Sequence, residues 1–288
     1  MKIDKNTNFL IVGLGLLGGS YAKALKDGGY RVSAVTRSQG SIDYALSEGI
    51  IDRGAACPDP ALIGEADVVV LAMYPHVLLK WVEENRHLLK RGALVTDVTG
   101  VKVSVVYKVQ ELMPEGVEFI AAHPMAGREV PGVQNADPSI FRVANYIVTP
   151  TQKNTKEAIE SCEELGRILG FARISRLSPE EHDKMIGFVS QLTHCIAVTL
   201  MTCNDIENLG DYTGDSFRDL TRIAKINDEM WSELFLTNRE ALLEQMEQFA
   251  TQFDTLRRQL EARDCEGMRE MMRRSTERRK ALEKRDEI

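Results

Sequence analysis

The stretch VGLGLLGGS, residues 12–20, places glycines at positions 13, 15 and 18, in the spacing Gly-x-Gly-x-x-Gly. It follows the apolar run FLIV and precedes a helical pattern through Tyr21, Ala24 and Leu25. Glycines at this spacing allow a tight turn and let the backbone approach a pyrophosphate, which then lies at the positive end of the helix. A glycine-rich turn that serves only packing is the alternative. The strand before the turn and the helix after it favour dinucleotide binding. The binding loop would then consist of Gly13, Gly15, Leu16, Leu17 and Gly18.

Short β-rich runs alternate with helical patterns from Phe9 to about Ile174. In chain order the runs are FLIVGLG, RVSAVT, DVVVLAM, ALVTDV, VEFIAA, NYIVTP and FARIS. Several are continuously apolar, which is typical of parallel strands buried on both faces. The pattern predicts an α/β fold with a Rossmann-type doubly wound parallel sheet. We assign residues 1–177 to this dinucleotide-binding domain.

The character of the sequence changes at Ser178, where SPEE supplies a capping serine, a first-turn proline and a glutamate three residues after the serine. No strand-like run follows, so residues 178–288 are predicted to form an all-helical substrate and dimerisation domain. Six apolar residues there recur at alternating four- and three-residue steps: Leu242, Met246, Phe249, Phe253, Leu256 and Leu260. Such a stripe predicts a helix of about 35 residues, about 50 Å long, which one small domain cannot cover. A homodimer interface is our hypothesis, and an intramolecular bundle helix is the alternative.

Composition excludes several classes of partner. A formal net charge of −7 argues against nucleic-acid binding, and no run approaches the roughly 20 continuous apolar residues of a membrane helix. The N-terminal MKIDKNTN lacks the apolar core of a signal peptide, and the five cysteines show no paired spacing. We therefore expect a cytoplasmic protein that acts on a small molecule, with no metal, no membrane and no nucleic acid as partner.

The end of the second strand reads Thr36-Arg37-Ser38, where dinucleotide-binding proteins of this type usually carry an acidic residue for the ribose hydroxyls. None of these three residues is a carboxylate. An arginine flanked by two hydroxyls suits a 2′-phosphate. The sequence therefore predicts NADP as the preferred cofactor, with NAD as the alternative.

The stretch AAHPMAG, residues 121–127, presents a histidine at the exit of a strand. Pro124 fixes its own φ and favours extended geometry at His123, so this side chain stands where α/β folds keep their chemistry. Removal of hydride from an alcohol requires a group that accepts the hydroxyl proton, and histidine suits this role near neutral pH. His123 is the candidate catalytic base. His76 and His87 lie in the region after the third strand, and we expect each of them to be either exposed to solvent or packed in the core.

The apolar helical segment IGFVSQLTHCIAVTLM carries a polar pair, Ser190 and His194, four residues apart on one face. On a regular helix His182 is rotated by about 120° from His194, so we expect it to point elsewhere. The pair forms either a satisfied core hydrogen bond or a wall of the pocket. Arg218 and Arg222 also share a helix face. They suit an anionic substrate, although residue type alone favours surface ion pairs.

Five motifs together resemble the prephenate and arogenate dehydrogenases of tyrosine biosynthesis, in family order and over nearly the whole chain. They are GLGLLGGS at 13–20, DVTGVK at 97–102, HPMAGRE at 123–129, SQLTH at 190–194 and FRDLTRIA at 217–224. The resemblance implies a nicotinamide-dependent oxidative decarboxylation: hydride leaves the ring carbon that bears the hydroxyl, the ring carboxylate leaves as carbon dioxide, and a phenol forms. It also implies an active site in the cleft between the two domains and pairing of subunits through the helical domain.

The resemblance also implies roles for single residues. His123 corresponds to the family histidine that accepts a hydrogen bond from the ring hydroxyl, and Arg222 to the arginine that binds a substrate carboxylate. Ser190 and His194 correspond to pocket residues of the helical domain, and Glu129 to an acidic residue at the pocket edge.

The chain departs from the family where the common DVGSVK reads DVTGVK. In the family, a serine at this position contacts the reacting hydroxyl and the cofactor. This chain has Gly100 there, which lacks the hydroxyl but is still expected to line the substrate site. Thr99 is the candidate to supply a catalytic hydroxyl from one residue earlier.

Two other functions would keep the same architecture. A β-hydroxyacid or 6-phosphogluconate type dehydrogenase would use a lysine of the helical domain, for which Lys184 is the nearest candidate. A non-catalytic NADPH-binding sensor would need neither His123 nor Arg222. The sequence leaves open whether prephenate or arogenate is the substrate and whether tyrosine inhibits.

Overall fold

The computed structural model describes residues 2–128 and 130–283. Its main element is a six-stranded parallel sheet with the spatial order β3-β2-β1-β4-β5-β6. The strands are β1 Asn8–Val12, β2 Arg31–Val35, β3 Arg53–Ala55, β4 Val68–Leu71, β5 Leu94–Asp97 and β6 Glu118–Phe119. Because the strand order reverses between β1 and β4, a crevice opens there at the carboxyl ends of the strands, and ligands bind at such a point in α/β folds.

Helices cover both faces of this sheet. They are α1 Leu16–Asp27, α2 Gln39–Ser47, α3 Pro60–Glu65, α4 Pro75–Asn85, α5 Val103–Leu112 and α6 Lys156–Ile168. Successive strand residues point to opposite faces, so Phe9 and Ile11 join one apolar cluster while Leu10 and Val12 join the other. Burial of each large apolar side chain contributes about 1.5–3 kcal/mol. The predicted Rossmann-type α/β fold is confirmed.

The end of the run VEFIAA, together with the runs NYIVTP and FARIS, forms a second sheet. Its strands are β7 Ala121–Pro124, β8 Asn145–Thr149 and β9 Arg173–Arg176, in the order β7-β8-β9. β7 is antiparallel to β8, and His123 pairs with Ile147, whereas β8 and β9 are parallel. The expectation that the runs would form one doubly wound sheet was wrong for β7, β8 and β9, which form a separate sheet. Only Ile120 separates β7 from β6, so the chain changes sheets within one residue.

The helical region begins with the predicted capping box. Ser178 Oγ accepts a hydrogen bond from the backbone N–H of Glu181 at 3.2 Å, and Glu181 Oε2 accepts one from the N–H of Ser178 at 2.8 Å. The helix that follows has three parts: α7 Pro179–Ile186, a π-helical segment Gly187–Leu192 and α8 Thr193–Thr202. Two helices follow, α9 Asp215–Thr221 and α10 Asp228–Thr237, separated by the 3-10 turn Arg222–Ala224.

The helix Pro179–Thr202 is long and apolar enough to cross a membrane by length and composition alone. It is not a continuous apolar run, because polar residues such as Ser190, Gln191 and His194 interrupt it. The same helix carries His182 and Asp183, which are buried and hydrogen-bonded to residues of the sheet region. We therefore interpret it as a packed helix of a folded domain.

The chain divides into two compact units, one ending at Arg239 and the other beginning at Glu240. The first unit contains both sheets and α1–α10, and the domain boundary at residue 178 stays a prediction. The second contains most of α11 Arg239–Glu261 and all of α12 Cys265–Glu283. The expected single helix of about 35 residues was wrong. Arg263 adopts a left-handed φ of 58°, which ends α11, and Asp264 Oδ1 accepts the N–H of Gly267 at 2.9 Å and caps α12.

Candidate active site

The loop between β1 and α1 requires glycine for two different reasons. Gly13 has a φ of 101°, and a Cβ there would overlap the backbone oxygen of Ala72. A Cβ on Gly18 would overlap the backbone oxygen of Gly13, so only glycine lets α1 pack this closely against the loop. At Gly15, by contrast, a Cβ would meet no atom within 4 Å. Gly15 therefore faces open space, where the backbone can approach a ligand.

The start of α1 has the features of a phosphate-binding helix end. Leu16 and Leu17 open this helix, no side chain caps its first turn, and that turn carries no acidic residue. The first N–H groups of a helix have no partners within it and form its positive end. These residues fit the pyrophosphate of a dinucleotide. When bound, a nicotinamide dinucleotide would supply the hydride acceptor.

The segment after β2 lies beside this loop, since the backbone N–H of Gly13 donates to the oxygen of Val35 at 2.8 Å. Thr36 is half-buried, while Arg37 and Ser38 are exposed. Ser38 Oγ accepts the N–H of Ser41 at 3.2 Å and so caps α2. Arg37 is thus an exposed side chain in the segment beside the glycine loop.

His123, the predicted base, is held by a second histidine. Its Nδ1 lies 2.8 Å from Nε2 of His182, and Nδ1 of His182 lies 2.7 Å from Oδ1 of Asp183. His182 is fully buried, and Asp183 is 4% exposed. Neither residue of α7 was predicted from the sequence to belong to the site.

The π-helical segment Gly187–Leu192 lies between His182 and His194. The expected rotation of about 120° between His182 and His194 assumes a regular α-helix. A π turn inserts one additional residue, which corresponds to about 100° of rotation and removes most of that difference. The rotation of a regular helix therefore does not fix the direction of His182; in the structure His182 contacts His123, and His194 stacks on Trp231. A π turn cannot be predicted from the hydrophobic periodicity of the sequence alone.

Asp183 also ties α7 to the start of α5. Its Oδ1 accepts the backbone N–H of Lys102 at 2.8 Å, and its Oδ2 accepts that of Val103 at 2.8 Å. A carboxylate at a helix N-terminus pairs with its unsatisfied N–H groups and its positive dipole end. The same carboxylate thus supports His182 and fixes the loop after β5.

Beneath His123 lies a buried ion pair between Lys102 and Asp97. Lys102 Nζ donates to Asp97 Oδ2 at 2.7 Å and to the backbone oxygen of Ala122 at 2.7 Å, and both charged side chains are fully buried. Asp97 Oδ1 accepts the N–H of Ala122 at 3.1 Å. The pair therefore joins the end of β5 to the strand that carries His123.

Thr99 belongs to this buried network. It is 4% exposed, and its hydroxyl donates to Asp97 Oδ2 and lies 2.9 Å from the backbone oxygen of Val101. The expected role of this hydroxyl, contact with the reacting group in place of the family's serine, does not match the geometry. The side chain points into the protein interior, because Asp97 and Lys102 hold it there.

Gly100 lies beside the other ring nitrogen of His123. A Cβ built on Gly100 would be 3.8 Å from Nε2 of His123 and 3.7 Å from Leu234 of α10. These are ordinary van der Waals distances. A small space therefore lies between the backbone of Gly100 and the side chains of His123 and Leu234. The structure thus brings together two of the predicted site residues, His123 and Gly100.

Burial sets the ionisation of the histidines. It lowers the pKa of His123 well below the usual 6.5, and a protonated His182 and the Lys102 ammonium act in the same direction. Burial also lowers the pKa of His182, although its hydrogen bond to Asp183 opposes the change. Both rings are neutral near pH 7, the state in which histidine serves as a base.

The helical residues form a separate group. The ring of His194 stacks on Trp231 of α10 with centroids 3.7 Å apart, and its Nδ1 lies 2.9 Å from the backbone oxygen of Ser190. Arg222 is exposed on the 3-10 turn that packs against α8. Glu129 lies outside the described residues.

A doubly wound sheet with a dinucleotide loop, and a neutral histidine held at its carboxyl edge, define a dinucleotide-dependent oxidoreductase. Comparison with known proteins identifies the family. The description "Prephenate dehydrogenase, nucleotide-binding domain" matches residues 21–172, and "Prephenate dehydrogenase, dimerization domain" matches residues 178–274. The chain belongs to the prephenate dehydrogenase family.

Individual relatives agree with this assignment. The prephenate dehydrogenase of Bacillus subtilis is 34% identical over 269 residues, which cover 90% of this chain and 71% of that protein. The cyclohexadienyl dehydrogenase of Zymomonas mobilis is 29% identical over 280 residues and 94% of both chains. The crystal structure of prephenate dehydrogenase from A. aeolicus, in complex with hydroxyphenyl propionate and NAD+, superposes with a TM-score of 0.88 at 29% identity, covering 98% of this chain and 100% of that one.

Proposed function

We propose that this chain catalyses the NAD(P)-dependent oxidative decarboxylation of prephenate to hydroxyphenylpyruvate, or of arogenate to tyrosine. One observation carries the proposal: His123 is held by His182 through Nδ1, while its Nε2 lies beside Gly100 at the carboxyl edge of the sheet. The names of the relatives, prephenate and cyclohexadienyl dehydrogenase, support the same reaction class.

In the proposed reaction His123 moves one proton. Hydride leaves the ring carbon that bears the hydroxyl, and Nε2 of His123 accepts the hydroxyl proton as the carbon–oxygen bond gains double-bond character. The bond to the ring carboxylate then breaks, carbon dioxide departs, and its electron pair completes the aromatic ring. The phenolic oxygen takes the proton back, so His123 ends neutral. A lowered pKa keeps the ring unprotonated at the start.

The substrate is proposed to be held mainly by the helical region. Arg222 would bind a carboxylate through its planar, permanently charged guanidinium. Ser190 and His194 would line the pocket, and the stack of His194 on Trp231 provides a flat wall of the size of a six-membered ring. Gly100 would border the reacting carbon, and Glu129 stays a proposed residue of the pocket edge.

NADP is proposed as the preferred cofactor, with NAD as the alternative. Thr36, Arg37 and Ser38 follow β2 where a carboxylate would favour the ribose hydroxyls of NAD, and Arg37 is exposed beside the glycine loop. A guanidinium there favours a 2′-phosphate by charge and by hydrogen bonding.

The enzyme is further proposed to be a cytoplasmic homodimer that pairs through residues 178–288. The family description for residues 178–274 is a dimerization domain. Apolar side chains of this region are exposed in the single chain, among them Phe188 at 56%, Phe253 at 63% and Leu260 at 66%. A second copy would remove such surfaces from water. Light scattering should give twice the monomer mass, and a monomer would contradict this part of the proposal.

The proposal is tested by measuring reduced nicotinamide with prephenate and arogenate, each with NADP and NAD. Turnover with at least one combination is expected, with the NADP rates higher. No turnover with all four would remove the proposed function. The hydroxyacid-dehydrogenase alternative relies on Lys184, which is exposed on α7, so it has the weaker support.

A further inference from the structure

Three side chains form a continuous hydrogen-bonded row that crosses from the helical region to the catalytic strand. Asp183 Oδ1 is 2.7 Å from His182 Nδ1, and His182 Nε2 is 2.8 Å from His123 Nδ1. Asp183 and His182 belong to α7, whereas His123 belongs to β7. The far nitrogen of the row, Nε2 of His123, is the one that lies beside Gly100.

The row has only one hydrogen-bond direction that satisfies every group. Asp183 already accepts two backbone N–H groups at 2.8 Å, so its carboxylate acts as an acceptor only. His182 must therefore donate to it from Nδ1. A neutral His182 then offers the lone pair of Nε2, to which His123 donates from Nδ1. The remaining nitrogen of His123, Nε2, is left with a free lone pair.

The opposite direction would require a positively charged His182 that donates from both nitrogens. The groups that face the two rings are Asp183 on α7, Lys102 before α5 and Asp97 at the end of β5. Lys102 and Asp97 compensate each other at 2.7 Å, and Asp183 is shared with two backbone N–H groups. A second buried cation next to Lys102 would be costly without a further counter-charge.

We propose that His182 and Asp183 are positioning residues that fix His123 in the tautomer with an unprotonated Nε2. This inference rests on the proposed role of His123 as the base. The row also explains why the base is assembled from two regions of the chain, because His123 has a defined tautomer only when α7 is packed against β7 and α5. When Nε2 takes up a proton in the reaction, the same row lets Asp183 stabilise the charge through His182.

The tautomer can be read directly from the ¹⁵N chemical shifts of the imidazole nitrogens in the full-length protein. The chain has five histidines, so comparison with the spectrum of His123→Asn identifies the signals of His123. The wild type should show a proton on Nδ1 and none on Nε2. A proton on Nε2 in the wild type would overturn the proposal, whatever reaction the enzyme catalyses.

Two variants of similar side-chain volume form a matched pair. In His182→Gln the amide oxygen can still accept from His123 Nδ1, so the tautomer should be retained. In His182→Leu no acceptor remains, and the proton of His123 should redistribute to Nε2. Turnover should then fall by on the order of 10²-fold in the leucine variant, with a smaller loss in the glutamine variant and little change in KM.

Glu180→Gln serves as a control, because Glu180 also joins α7 to α5, through the hydroxyl of Tyr107, but does not touch a histidine. It should leave the tautomer and the turnover unchanged. Binding of the reduced cofactor, followed by fluorescence, verifies the fold of each variant. An unchanged tautomer and unchanged turnover in His182→Leu would contradict the proposal. If the wild type has the expected tautomer but turns over no substrate, the proposed function fails and the positioning of His123 stands.

Discussion

Glu233 of α10 binds His76 at the start of α4 through two contacts. Its Oε1 accepts the backbone N–H of His76 at 2.9 Å, and its Oε2 lies 2.8 Å from Nδ1 of the same residue. A residue of the helical region thus caps a helix of the sheet region, 157 positions away in sequence. α4 follows β4, and Ala72, the residue after β4, lies against Gly13 of the glycine loop. The contact of Glu233 therefore connects α10 to the region around this loop.

Glu233→Ala should lower the free energy of unfolding by about 0.5–2 kcal/mol, the usual contribution of a helix cap. The loss arises because a backbone N–H and the ring of His76 lose their acceptor. Chemical denaturation measures it. Glu84→Ala, on the same α4 but with Glu84 in an exposed pair with Lys80 at 3.9 Å, should change stability by less than about 0.5 kcal/mol. Equal effects of the two substitutions would show that the cap contributes nothing.

Lys102→Met should destabilise the fold by about 3–5 kcal/mol, because it leaves Asp97 buried without a counter-charge. The loss of stability should lower the denaturant concentration at the midpoint of unfolding, measured at neutral pH. Lys108→Met, at an exposed position of α5, is the control and should be nearly neutral. A small effect of Lys102→Met would mean that the ion pair does not support the strand of His123.

Stability should decrease as the pH falls below the usual histidine value of 6.5. The folded chain keeps His123 and His182 neutral because their pKa values are lowered, whereas the unfolded chain binds protons there as the pH falls through 6.5. Each histidine therefore removes up to about 1.4 kcal/mol per pH unit below that value and has no effect above it. Urea unfolding at about pH 7.5, 6.5 and 5.5 measures this slope.

The slope in the window below pH 6.5 should become shallower in His182→Gln, which removes one of the two groups. His87→Gln, at an exposed position, should leave it unchanged. A free energy of unfolding that stays level between about pH 7.5 and 5.5 would show that neither buried histidine resists protonation.

Arg37→Ala should weaken the binding of NADPH by about 1.5–3 kcal/mol, or roughly 10- to 150-fold, because a charge-assisted hydrogen bond to the 2′-phosphate is lost. Binding of NADH should hardly change. Arg31→Ala, at the exposed opposite end of β2, is the matched control and should affect neither ligand. Fluorescence titration distinguishes these results, and an equal loss for both cofactors would contradict the predicted preference.

The parts of the molecule that depend on local chemistry were predictable. The glycine loop follows from the backbone freedom and small size that Gly13 and Gly18 supply, and the start of α7 from the capping box at Ser178. His123 was found because Pro124 places it at a strand end. Each of these features is determined by residues within a few positions of one another.

The features that the sequence did not predict depend on distant contacts or on irregular backbone. β7 was assigned to the parallel sheet because an apolar run does not specify its partner strand, and its antiparallel pairing with β8 is non-local. The contact of His182 with His123 was not predicted, because it joins α7 to β7 across 59 positions of the sequence. The break at Arg263 was missed, although Asp264 is a suitable N-cap, because the apolar stripe on its own fits one long helix.

The central claim is that His123 acts as the base in the oxidation of prephenate or arogenate. The most direct test compares the turnover of the wild type and of His123→Asn, with cofactor binding measured for both. Loss of the base should reduce kcat by about 10²- to 10⁴-fold while the variant still binds NADPH. Wild-type turnover in His123→Asn would contradict the account.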